Sequence, residues 1–295
     1  MLARTVHVSV PPCFRFPIST IRLMRAALIL LCLGIGIQPG PQQAVAQTTE
    51  TASPEEALFT ARDALWAGGF AVGTILLAPL DIAVAASVQD SLLQKNAWIS
   101  HSASGLRFLG FPGSVVVTGG MYAVGRLADR PVLADIGLHS AEAIVIATAI
   151  TLGTKSLAGR ARPIVDEGNP FNFGLGRGWR NDRYQSFPSG HTTAAFATAA
   201  VITAEVEERW PDSEILVGTA LFGAATLIGV SRLYHNVHWA SDVAAGAAIG
   251  SFAGWKVVRY THTNPDNRVD RWLLGVTLSP GPGGRTARLW VAPVF

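Results

Sequence analysis

Residues 186–196 read SFPSGHTTAAF, and the thirteen residues after them, ATAAVITAEVEER, are alanine-rich and free of glycine and proline. Such a run favours helix, so Pro188 and Ser189 stand at a helix entrance. There the Ser189 hydroxyl and the first backbone N–H groups, which have no acceptor within the helix, would converge on one spot suited to an anion. Gly190 would let a ligand come close to the backbone. His191, at the same entrance, could give a proton to a leaving oxygen. Taken alone, the stretch reads better as an ordinary capped helix with an exposed histidine.

Two further clusters flank it. Residues 231–242 read SRLYHNVHWASD. His238 and Asp242 are one helical turn apart, a spacing at which a carboxylate can hold an imidazole. A carboxylate on one ring nitrogen leaves the other as a nucleophile. Arg232 supplies a fork of donors for phosphate oxygens, and His235 reads as a bystander. Upstream, residues 155–163 read KSLAGRARP. Lys155 and Arg162 are two turns apart on one helical face, and Pro163 ends the helix. Cations at a helix C-terminus also complement its dipole, so this cluster is ambiguous by itself.

Together the three clusters resemble the type-2 phosphatidic acid phosphatase and haloperoxidase superfamily. Its pattern is Lys, six residues, Arg-Pro; then Pro-Ser-Gly-His; then Ser-Arg, five residues, His, three residues, Asp. Lys155, Arg162 and Pro163 fill the first part, Pro188 to His191 the second, and Ser231, Arg232, His238 and Asp242 the third, with no position departing. The resemblance covers about residues 60–260. It implies His238 as a nucleophile that becomes phosphorylated, Asp242 as its orienter and His191 as acid for the leaving group. It also implies Lys155, Arg162, Ser189, Gly190 and Arg232 as phosphate-binding groups. The expected activity is hydrolysis of phosphate mono- or diphosphate esters, with no cofactor and no metal, since cations and a helix N-terminus can neutralise a phosphoryl group. A vanadate-dependent haloperoxidase on the same scaffold, or a non-catalytic helical membrane protein, is the alternative. No H-E-x-x-H, Cys-x-x-Cys or Walker pattern is present.

Apolar segments run about 62–88, 106–125, 132–155, 190–206, 214–230 and 239–258. Their length and Ala, Leu and Val content predict an all-α fold, a helical bundle of about six core helices embedded in a membrane. The membrane reading agrees with 49% hydrophobic and only 15% charged residues. It favours a phosphorylated lipid as substrate over a small soluble phosphate ester. The loop at 160–189 is long enough to be functional; Asp166, Glu167, Asp182, Arg177, Arg180 and Arg183 would shape its mouth. His139 and Glu142, on the helix leading to Lys155, read as a polar contact between helices. WLLGVTLS and RTARLWV flank SPGPGG in the 263–295 tail and predict a β-hairpin.

The net charge of +3 is no sign of nucleic acid. Arg4, Arg15, Arg22 and Arg25 lie in residues 1–47 with no acid, and the remainder carries 19 basic against 20 acidic residues. Arg22 and Arg25 precede the apolar run AALILLCLGIGI, and AVAQ ends at Gln47. This predicts a signal peptide over 1–47, with translation starting naturally at Met24. A linker at 48–59 and the catalytic domain at 60–262 would follow. The only cysteines, Cys13 and Cys32, leave no disulfide framework downstream. Pro79 and Asp81 interrupt segment 62–88, which is therefore expected to pack beside the bundle without crossing, because a mid-bilayer carboxylate costs about 2.5–3.5 kcal/mol on insertion scales. On that count the site faces the periplasm from the inner membrane, or belongs to a soluble periplasmic domain.

Overall fold

The computed structural model describes residues 59–264 and 267–270, and the backbone of two strands beyond them. The expected signal peptide and almost all of the expected linker lie outside the described residues. The helices are α1 (Ala61–Leu77), α2 (Asp81–Val88), α3 (Ser91–Lys95), α4 (Ala97–Leu109), α5 (Phe111–Leu127), α6 (Pro131–Ala158), α7 (Gly190–Arg209), α8 (Pro211–Tyr234) and α9 (Ala240–Thr263). The strands β1 (Val276–Pro280) and β2 (Ala287–Val291) pair antiparallel, Val276 opposite Val291; the loop between them lies outside the described residues.

Prolines sit in the first turns of α5, α6 and α8, where the missing N–H would have had no acceptor. Thr60 and Asp63 form a reciprocal capping box at the start of α1. Three helical stretches are long and apolar enough to cross a membrane: Ala61–Val88, Pro131–Ala158 and Pro211–Tyr234. The bent pair α4 and α5, kinked by 50° at Gly110, makes a fourth candidate.

The core is built of small residues. Ala143, Ile144 and Ala147 of α6, Ala194, Ala197 and Val201 of α7, and Ala253, Val257 and Val258 of α9 form one buried cluster. Along α9, Gly246, Gly250 and Gly254 lie against the backbone of α7. A Cβ on Gly250 would sit 2.2 Å from the Thr193 carbonyl oxygen, and one on Gly246 2.5 Å from that of Ser189. Glycine every fourth residue is what lets two helix backbones touch. The outward faces carry the larger apolar side chains: Ile75 and Leu76, Val116, Val145, Ile215 and Leu216 are all exposed. A bundle apolar outside and tightly packed inside suits lipid rather than water as solvent. The chain is a membrane protein.

Segment 61–88 departs from expectation. Pro79 occupies a single 3-10 turn, Ala78–Leu80, between α1 and α2, and helix resumes at Asp81. The Asp63 carboxylate accepts from Lys256 Nζ at 2.5 Å, near the end of α9, whereas Asp81 accepts from the Ser241 amide at 2.8 Å, in α9's first turn. The segment thus runs antiparallel to α9 along the bundle, and Asp81 lies at one end of it rather than at its middle. There it is fully buried and paired with Arg160 at 2.7 Å. The carboxylate that counted against a crossing is thus paired with Arg160 at the end that carries the three sequence clusters.

Candidate active site

The C-terminus of α6, the loop 159–189, the N-terminus of α7, the C-terminus of α8 and the N-terminus of α9 meet at one end of the bundle. His238 precedes α9 and is 4% exposed. Its Nδ1 lies 2.7 Å from the Ser186 carbonyl oxygen and 3.6 Å from Asp242 Oδ2. A carbonyl can only accept, so Nδ1 carries the hydrogen and the Nε2 lone pair is left free. The tautomer is therefore set first by a backbone carbonyl, and the Asp242 carboxylate stands just beyond hydrogen-bonding distance. Asp242 is instead anchored by its own donors: Ser186 Oγ at 2.5 Å and the Trp239 amide at 2.8 Å on Oδ2, Arg160 Nη1 at 2.5 Å on Oδ1. Burial pushes the His238 imidazole down to about 3, against the pull of Asp242 and with the help of Lys155 and Arg162. It is neutral at any ordinary pH, as a nucleophile requires.

Ser189 is the N-cap of α7 and is fully buried. Its hydroxyl accepts from Thr192 Oγ1 at 2.8 Å and its amide donates to the Asp242 carbonyl at 2.9 Å. Gly190 opens the helix, with Lys155 Cε and Thr151 Cγ2 each 3.8 Å from where its Cβ would be. The protein itself would accept a side chain there, so any need for glycine comes from what approaches from outside. Lys155 Nζ donates to the Gln185 carbonyl at 2.7 Å, and Arg162 Nε to that of Asp182 at 2.9 Å. Arg232 is 6% exposed, and its Nε and Nη1 are buried with no hydrogen-bond partner. A buried guanidinium edge left unpaired is costly and marks where an anion fits.

His191 feels all of these cations. Burial first, then Arg232, Arg107, Lys155 and Arg162, push its imidazole down to about 4. Arg107 was absent from the sequence reading. It lies on α4, which reaches the site because a Cβ on Gly110 would come within 2.7 Å of the His191 ring. Arg160 was missed too. It is 2% exposed and gives hydrogen bonds to Asp242, Ser241, Asp81 and the Pro170 carbonyl, flanked by the rings of Phe173 and Trp239. Its position inside KSLAGRARP was the one available signal, but its partner Asp81 had been read as a helix breaker. His139 and Glu142 are far from this site: His139 is roughly 24 Å down α6 from Lys155 at 1.5 Å per residue, and its ring bonds Glu205, not Glu142.

The arrangement can bind a tetrahedral oxyanion among Lys155, Arg162, Arg232 and the first amides of α7, with one imidazole nitrogen free to attack it. Residues 137–266 match the PAP2 superfamily. A lipid A 1-phosphatase of Porphyromonas gingivalis is 44% identical over 69 residues, which are 23% of this chain and 15% of the relative. An undecaprenyl-diphosphatase of Sulfolobus acidocaldarius is 32% identical over 88 residues, 30% of this chain and 39% of the relative. The chain thus spans well under half the length of either curated relative. A transmembrane PAP2 type phosphatidylglycerolphosphate phosphatase of Bacillus subtilis superposes with a TM-score of 0.50 at 20% identity, covering 71% of this chain and 99% of that one. The stretch that matches the PAP2 superfamily, residues 137–266, holds all three clusters.

Proposed function

We propose that the protein is a phosphatase that hydrolyses the phosphate or diphosphate ester of a lipid through a phosphohistidine on His238. The observation that carries this is the buried Arg232 guanidinium, unpaired at Nε and Nη1, beside an imidazole whose tautomer leaves Nε2 free. In the first step the Nε2 lone pair forms the N–P bond while the P–O bond to the leaving group breaks. His191 delivers its proton to that oxygen. The guanidinium forks, Lys155 and the α7 amides hold the remaining oxygens as charge moves. The positive charge on His238 is met by Asp242 at 3.6 Å. In the second step water attacks phosphorus, His191 takes the water proton, and the N–P electrons return to Nε2 with release of phosphate. The lipid nature of the substrate is supported by the exposed apolar faces around the bundle.

The test is phosphate release from lipid phosphates, lipid diphosphates and soluble monoesters by the purified protein, with rapid acid-free quenching to trap phosphoenzyme. Acid-labile phosphate should appear on the wild type and vanish in His238→Ala, and vanadate should block both trapping and turnover. Phosphate trapped on His238→Ala would overturn the assignment.

The length and apolar character of Ala61–Val88 support a crossing, which would set the site on the opposite side of the membrane from residue 60. An exported residue 60 and a periplasmic site therefore exclude each other. We infer that the site is periplasmic, because Arg126 and Arg130 bracket the short α5–α6 turn on residue 60's side and basic short turns stay in the cytoplasm.

A further inference from the structure

At the end of the bundle away from the phosphate site, His139 of α6, Glu205 of α7 and His262 of α9 each offer one ligand atom, all within 4.8 Å of one another. We propose that this cluster is a binding site for a first-row divalent cation, Zn²⁺ above all, that ties α6, α7 and α9 together. Glu205 is fully buried and His139 is 5% exposed. His139 Nδ1 donates to Glu205 Oε1 at 2.6 Å, and His262 Nε2 lies 3.3 Å from the same oxygen. On its other edge, His139 Nε2 lies 3.6 Å from Asp270 Oδ2. Asp270 is 7% exposed, and its Oδ1 is buried with no partner.

Two imidazoles and one carboxylate are a donor set suited to Zn²⁺, with Asp270 on the far edge of His139 to orient the ring, whereas Ca²⁺ and Mg²⁺ take oxygen ligands. The protons shared between these groups hold the places a cation would take, and binding would release them. The surroundings favour positive charge. Asp135 and Glu142 sit one turn to either side of His139, close enough to interact with it. Glu208 pairs with His262, while Arg209, paired with the second oxygen of Glu205, offsets part of that negative charge. His262 is partly exposed and Glu208 largely so, which gives the cation a way in. The sequence shows no recognisable spacing because the three donors come from three helices.

The role is structural, so removal of the cation should loosen the bundle without touching the chemistry at His238. Full-length, tag-free protein in detergent, stripped with EDTA, should bind about one Zn²⁺ per chain, with release of protons. Its Tm should rise on Zn²⁺ addition, while phosphate release at room temperature stays unchanged. His262→Gln, at the exposed rim where folding is least at risk, should lose roughly tenfold or more in Zn²⁺ affinity and lose the Tm shift. The double variant His191→Ala/His238→Ala should keep both. Zn²⁺ binding unaltered in His262→Gln, or lost in the double variant, would overturn the site. So would failure of the wild type to bind Zn²⁺.

Discussion

At the residue scale, the members of the candidate site were legible in types and spacing, but their supports were not. Lys155, Arg162, Ser189, Gly190, His191, Arg232, His238 and Asp242 converge at one end of the bundle. Ser186, whose carbonyl sets the His238 tautomer, belongs to no spacing rule, because a backbone oxygen leaves no mark in a sequence. Arg107 and Arg160 act through partners more than 70 residues away, beyond the reach of local periodicity. Two predictions belong here. His191 sits near 4 while four cations surround it; a bound phosphoryl group offsets those charges and must raise it. As the acid, His191 works only while protonated, so kcat should fall as pH rises through that raised value. His191→Ala should be slow and lack this alkaline limb, and an identical limb in the variant would rule out the role. Gly190→Ala meets nothing nearer than 3.8 Å, so stability should change by no more than about 0.5 kcal/mol. The methyl would project where the phosphoryl group approaches, so kcat/KM should drop about tenfold or more. An active Gly190→Ala enzyme would show that no close approach occurs there.

At the scale of elements, helices were readable because their apolar content and proline punctuation are local. The expected segments 132–155 and 214–230 appear as Pro131–Ala158 and Pro211–Tyr234, each starting at a proline. Segment 106–125 was misjudged. Its first turn belongs to α4, and the 50° bend at Gly110 swings α4 over the site. The bend is needed because the backbone at 110 lies against His191, a contact that no pattern announces. Tight α7–α9 packing also positions the candidate site, since α7 carries His191 and Asp242 lies in the first turn of α9. Gly250→Ala would put a Cβ 2.2 Å from the Thr193 oxygen and should cost about 1–3 kcal/mol by overpacking. A lower Tm should come with a lower kcat. Gly119→Ala, whose Cβ meets nothing within 4 Å, is the control and should leave both intact. Equal Tm for the two variants would mean that α7 and α9 are not in backbone contact.

At the scale of the whole molecule, composition announced the membrane but not the number of crossings. The count turns on one residue: Asp81 weighed against a crossing by 61–88, and its place at the end of the segment, paired with Arg160, is a tertiary property. With 61–88 crossing, single cysteines at Asn169 and Asp212, in a background free of Cys13 and Cys32, should respond oppositely. In intact cells with a permeabilised outer membrane, an impermeant thiol reagent should reach position 169 and spare 212. Labelling at 212 alone would place the site in the cytoplasm and support an exported residue 60. Labelling at both would break the crossing count itself.

The pairing of Asp81 with Arg160 and Ser241 also sets a timetable. Asp81 emerges from the ribosome 160 residues before Ser241, and at roughly 5–20 residues per second that is an interval of about 8–30 s. Until α9 arrives, the first helices wait at the membrane with a carboxylate that has no amide or hydroxyl to settle it, and Asp242, which takes the other edge of Arg160, has not yet been made. The end that carries the candidate site thus closes only when α9 is made. A nascent chain arrested before residue 240 would be long enough to insert and still lack Ser241 and Asp242, the partners that join Asp81 and Arg160 to α9.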